Sequence, residues 1–179
     1  MARKRVAILI SGRGSNMLAL IKAAAANDYP AEIALVVSND PGAEGLQRAT
    51  AAGIDTAVID HRRFGKDRET FERALHDKLV TSAIEIVCLA GFMRLLTPWF
   101  VQQWDGRLLN IHPSLLPKYK GLDTHARVLA ARDTHHGASV HFVTAELDGG
   151  PVIMQGRLKV RAGDTPGVRF RCSLRCTAL

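Results

Sequence analysis

Long apolar runs are missing from this 179-residue chain. Nothing approaches the ~20 consecutive apolar residues that a membrane-spanning helix needs. The first apolar stretch, Val6 to Ile10, is too brief for the apolar region of a signal peptide. A cytoplasmic location without a membrane partner is therefore the expectation. Cysteine is scarce, with three residues in all, Cys88, Cys172 and Cys176. Cys172 and Cys176 have no further Cys or His beside them, so zinc-ligand spacing is absent and no metal is expected. Cys88 lies in an apolar strand and reads as a small buried hydrophobe. Aromatic residues make up 6% of the chain and are not interleaved with clustered basic side chains. The net charge of +7 is concentrated at the end, where the residues from Arg157 onward contribute +5. The rest is nearly balanced, which argues against a nucleic-acid partner. Repeats and low-complexity linkers are also missing. One domain is expected.

What is present suits a soluble globular core, with 47% hydrophobic and 23% charged residues. Arg5–Ile10 is a short apolar run without alternation, as a strand covered on both faces requires. Strands are likewise expected at Ile33–Ser38, Thr56–Ile59, Ile84–Ala90 and Arg107–His112. Helices are expected at Asn16–Ala26, Ala43–Ala52, Arg68–Thr81 and Thr124–Ala131, with a short one opening at Pro98. Phe71, Leu75 and Leu79 form one stripe of the Arg68–Thr81 helix. Ala138–Val143 and Val152–Val160 alternate enough to be an antiparallel edge pair. Strands alternating with helices predict an α/β fold, a mostly parallel sheet with helices on both faces.

Chemistry concentrates in Asn110-Ile111-His112-Pro113-Ser114-Leu115-Leu116-Pro117 and in Asp148 of a Leu-Asp-Gly-Gly-Pro turn. Asn110 and His112 are two residues apart, so at a strand end their side chains share a face. A carboxamide and an imidazole side by side can donate to an oxygen gaining charge at a reacting carbonyl. A carboxylate can hold that imidazole protonated and take part in proton traffic. Ser114 lacks the glycine-flanked elbow of serine hydrolases. Each polar residue alone is an ordinary turn former; their company gives them weight.

Four ordered blocks carry a family resemblance. They are Leu9-Ile10-Ser11-Gly12-Arg13-Gly14-Ser15-Asn16, then Leu89 to Leu96 (Leu-Ala-Gly-Phe-Met-Arg-Leu-Leu), then Asn110 to Gly121, then His141 to Pro151. From about Arg5 to about Pro166 the chain resembles the folate-dependent formyltransferases, in particular those acting on glycinamide ribonucleotide (GAR). The resemblance implies a Rossmann-like formyltransferase fold, GAR as substrate and 10-formyltetrahydrofolate as co-substrate, with no metal. It implies that Asn110, His112 and Asp148 are catalytic. It also implies that Gly14, Ser15, Asn16 and Met17 meet GAR, and that Arg68, Met93, Arg94, Leu95, Leu96 and Asn110 meet the folate. On residue chemistry alone, the glycine-rich turn is as readily a tight turn as an anion site at a helix start. Gly91–Leu96, on its residues alone, reads more readily as a loop covering the core than as a ligand site.

Two departures from the family stand out. Asp123 occupies a position where many members carry histidine. From Gly167 to Leu179 the chain has a basic, cysteine-containing tail in place of the family's carboxyl-terminal segment with its GAR-contacting glutamate. The expectation is a formyltransferase domain over residues 1–166 and an atypical tail over 167–179, with GAR binding and stability impaired. Methionyl-tRNA formylation or formyltetrahydrofolate hydrolysis on the same scaffold is an alternative, as is a ligand-binding remnant without turnover. The first two normally need additional domains.

Overall fold

The computed structural model describes residues 2–165. The tail at 167–179, with Cys172 and Cys176, lies outside the described residues. Seven strands form one sheet: β1 Lys4–Ile10, β2 Ala31–Ser38, β3 Thr56–Val58, β4 Ile86–Leu89, β5 Leu108–His112, β6 His135–Phe142 and β7 Val152–Lys159. The order is β3-β2-β1-β4-β5-β6-β7. The helices are α1 Ser15–Ala24, α2 Glu44–Ala51, α3 Arg68–Thr81, α4 Pro98–Gln103 and α5 Thr124–Ala130. The architecture is the expected α/β class. By internal contacts the chain divides into two compact units, Met1–Leu109 and Asn110 onward.

In the first unit β1 pairs in parallel with β2 on one side and β4 on the other, and β2 pairs in parallel with β3. Every residue from Val6 to Ile10 is buried. Ile8 and Ile10 pack with Met17 of α1, Val36 of β2 and Ala49 of α2. Ala7 and Leu9 alternate to the opposite face and are equally buried. The strand is therefore covered on both faces, which explains its unbroken apolar run. Fully burying one such aliphatic side chain contributes roughly 1.5–3 kcal/mol. Cys88 packs against the same cluster, and burial pushes its thiol up to about 12. It is an unreactive filler. On α3 the stripe Phe71, Leu75 and Leu79 is buried as the sequence pattern requires.

One element was not legible in the pattern, a single turn of 3-10 helix at His61–Phe64. The Asp60 side chain accepts from the Arg62 N–H at 3.1 Å and nucleates it locally. In the second unit β6 pairs antiparallel with β7, His135 facing Lys159. The strand thus starts three residues before the expected Ala138. Its first residues, His-His-Gly, carry no alternation, and only the partner strand's hydrogen bonds make them β. No helix among the described residues is long and apolar enough to cross a membrane.

Candidate active site

Strand β5 ends at His112, and Asn110 precedes it on the same face. Asp148 sits in the turn between β6 and β7 with φ of 48°. That left-handed conformation is uncommon for a residue with a side chain, though less so for Asp. It directs the carboxylate to both strand-end groups. His112 Nδ1 lies 3.3 Å from Asp148 Oδ2, and Asn110 Nδ2 lies 3.5 Å from Asp148 Oδ1. The backbone N–H of Gly121 donates to Oδ2 at 2.8 Å. The structure therefore brings together the three residues singled out by spacing and resemblance.

Asp148 is 9% exposed. Burial alone would raise its pKa. The hydrogen bond from His141, the Gly121 N–H and the charges of His112 and His141 outweigh burial, and the net shift is downward. The carboxyl group is held as a carboxylate. Across from it, His112 Nε2 faces the Tyr119 carbonyl oxygen at 2.9 Å. Both ring nitrogens of His112 thus meet acceptors, and the ring satisfies both only when it carries two protons. Tyr119 itself has φ of 57°, so its carbonyl is aimed by an unusual backbone conformation.

His141 belongs to this group, although its spacing did not single it out. It is 2% exposed. Its Nδ1 lies 2.9 Å from the Phe142 carbonyl, which only a protonated Nδ1 can bond. Its Nε2 sits between Asn110 Nδ2 at 3.2 Å and Asp148 Oδ1 at 3.5 Å. A lone pair there accepts from the carboxamide, whereas a proton there bonds the carboxylate. The available signal is a histidine at an inward position of a β-patterned run, opening the block that contains Asp148. Nearby in sequence, His125 Nδ1 and His136 Nε2 approach to 2.6 Å. Burial, then the charges of His125 and His112, lower the His136 pKa to about 4. Asp123 takes the position before α5 with φ of 56°, and its side chain caps nothing. Ser114 Oγ donates to the Lys118 carbonyl at 2.6 Å, so it is a loop fastener. Among the described residues no group of three or more His, Cys, Asp and Glu is placed to hold a metal.

The residues expected to meet GAR and folate, apart from Asn110, lie in the first unit. Gly14 precedes α1 with φ of 71°, and a Cβ there would lie 3.1 Å from the Gly45 Cα. Glycine at both positions lets the turn close onto α2. Ser15 and Asn16 open α1 with free first-turn N–H groups, the arrangement that suits an anion. Met17 is fully buried in the core, so what it can offer a ligand is its backbone.

The Gly91–Leu96 segment is tied to that turn. Ser11 N donates to the Gly91 carbonyl at 3.1 Å, and Met93 N donates to Ser11 Oγ at 2.8 Å. The Met93 side chain is 70% exposed, and Leu95 is exposed as well. Arg94 lies over the Phe71 ring at 6.0 Å. Arg68 donates to the Leu95 carbonyl at 2.6 Å. It is thus a brace for this segment as well as an exposed cation.

A family model described as formyl transferase matches residues 4–169. The chain is 51% identical over 160 residues to the phosphoribosylglycinamide formyltransferase of Escherichia coli, covering 89% of this chain and 75% of that protein. It is 49% identical over 161 residues to the trifunctional purine biosynthetic protein adenosine-3 of Gallus gallus. There the match covers 90% of this chain but 16% of the relative, so the chain spans a small part of that protein's length. Among solved structures, the phosphoribosylglycinamide formyltransferase of Brucella melitensis is 48% identical with a TM-score of 0.87, covering 92% of this chain and 84% of that one. The Coxiella burnetii enzyme of the same name is 47% identical with a TM-score of 0.86, at 92% and 77% coverage. This chain belongs to the formyl transferase family.

Proposed function

We infer that this formyltransferase moves the formyl group of 10-formyltetrahydrofolate onto the glycine amine of GAR, a step of purine biosynthesis. The observation that carries the reading is the convergence of Asn110, His112 and His141 on the buried Asp148 carboxylate. The amine nitrogen forms a bond to the formyl carbon, and the carbonyl oxygen becomes an oxyanion. The Asn110 carboxamide donates to that oxygen. Doubly protonated His112 donates beside it by exchanging its Tyr119 contact for the substrate oxygen. Asp148 keeps His112 oriented and, through water, accepts the proton that the amine must lose. As the oxyanion collapses and the C=O re-forms, the folate nitrogen departs with the C–N bonding pair and takes up the proton that Asp148 received through water. Preorganised donors of this kind stabilise charge where it develops.

The Gly14–Met17 turn takes the phosphate of GAR, because first-turn N–H groups and the helix dipole favour an anion. The Met93–Leu96 backbone takes the folate's pterin, and Arg68 lies toward its acidic tail. Both partners are small molecules, and the place of action is the cytoplasm.

The test is formyl transfer by the purified chain supplied with both substrates, with folate affinity measured by calorimetry. Formylated GAR is the expected product. Formate release without GAR would mean a hydrolase, and tight folate binding without transfer would mean a remnant.

A further inference from the structure

One buried carboxyl group lies outside the chemistry described so far. Glu72 is 1% exposed, on the inner side of α3 between Phe71 and Leu75. An apolar residue would be the cheaper filler at such a position. Both of its carboxyl oxygens are engaged by a single residue. Thr97 N donates to Oε1 at 2.9 Å, and the Thr97 hydroxyl donates to Oε2. Thr97 follows Leu96 directly and also receives the Phe100 N–H at the start of α4. One helical turn before Glu72, Arg68 holds the Leu95 carbonyl. Residues four apart share a helix face, so one face of α3 grips the end of the 91–97 segment at two successive points. The beginning of that segment is fastened by Ser11.

We propose that Glu72 is a positioning residue for the folate-binding loop, fixing Leu95–Thr97 on α3 so that the backbone groups of Met93–Leu96 stand in register for the pterin. The inference rests on the assignment of that loop to the folate. A carboxyl group suits the task because it accepts from the N–H and the hydroxyl together and leaves Thr97 one position. Removing it strands two donors where water has little access, and the loop end must move to satisfy them. Shifts of about 1 Å at a binding surface can change rates by up to about 100-fold.

The experiment compares Glu72→Ala, Glu72→Gln and Thr97→Ala with the wild-type chain, reading the folate dissociation constant by calorimetry alongside KM for each substrate and kcat. Glu72→Ala is expected to raise the folate dissociation constant and the folate KM about tenfold, with the GAR KM within about twofold. Glu72→Gln is expected to restore most of the affinity, because its carbonyl accepts from Thr97 N and its amide donates to the hydroxyl oxygen. Should Glu72→Ala fail to fold, Thr97→Ala removes one of the two contacts and is expected to give a smaller rise, about threefold. A folded Glu72→Ala with unchanged folate affinity overturns the proposal. So does an equal loss for both substrates that glutamine does not relieve, which marks a merely structural residue. A wild-type chain that binds no folate overturns the loop assignment itself, and the inference with it.

Discussion

The Nε2 nitrogen of His112 lies 2.9 Å from the backbone carbonyl oxygen of Tyr119, while its Nδ1 faces Asp148 at 3.3 Å. The ring is held from both sides, one contact from a loop and one from a turn. Replacing His112 or Asn110 with alanine is expected to lower kcat about 100- to 1000-fold, the usual cost of losing one oxyanion donor. Asp148→Ala is expected to lower it about 100- to 10,000-fold, the usual contribution of a positioned proton-transfer group. Circular dichroism should show the fold retained, because all three sit at a strand end or in a turn. Near-wild-type turnover in His112→Ala would eliminate the proposed chemistry.

Division of binding between two loops gives a second expectation. Gly14→Ala and Ser15→Ala should weaken GAR more than folate, since a Cβ at Gly14 would meet Gly45 and shift the turn. Met93→Gly and Leu96→Ala should weaken folate more. Calorimetric titration of each variant with each ligand separates the two loops. Equal losses for both ligands in every variant would rule the division out.

The turn bearing Asp148 depends on a close approach that only glycine allows. A Cβ at Gly150 would lie 1.9 Å from the Phe142 carbonyl oxygen. Gly150→Ala must push the two backbones apart, and such overpacking typically costs about 1–3 kcal/mol. The melting temperature should fall by several degrees and kcat should fall with it, as Asp148 is displaced. A variant of normal stability and turnover would show that the turn adjusts at no cost.

Stability should follow pH through His136. Its folded pKa is depressed to about 4 by burial and by the charges of His125 and His112, below the ordinary histidine value of about 6.5. A depressed value means that the unfolded state binds the proton first as pH falls. The stabilising contribution is whole above about 6.5 and is lost progressively down to about 4. Asp148, also depressed, adds a loss only below about 3.9. Melting curves between pH 7 and pH 4.5 should therefore shift less in His136→Gln than in the wild type. Parallel curves would show that His136 does not set this dependence.

Much of the fold is legible in the sequence. The unbroken apolar run Val6–Ile10, the stripe Phe71, Leu75 and Leu79, and Pro98 at a helix start are local signals. Each depends on residues a few positions apart, so periodicity and turn chemistry suffice to place strand, helix and boundary. The pairing of Asn110 with His112 was legible for the same reason, since a spacing of two at a strand end puts both on one face. Tertiary structure alone decided the rest. His141 reaches Asp148 because β6 runs beside the end of β5, and no spacing encodes that. Glu72 meets Thr97 across 25 residues of chain, and the Tyr119 carbonyl is a backbone atom that no residue type announces. The sequence by itself determined which residue types exist and which local elements they form. Which buried polar groups satisfy one another was decided only when the folded backbone brought distant positions within hydrogen-bond reach, because desolvation forces each to find a partner and folding selects it.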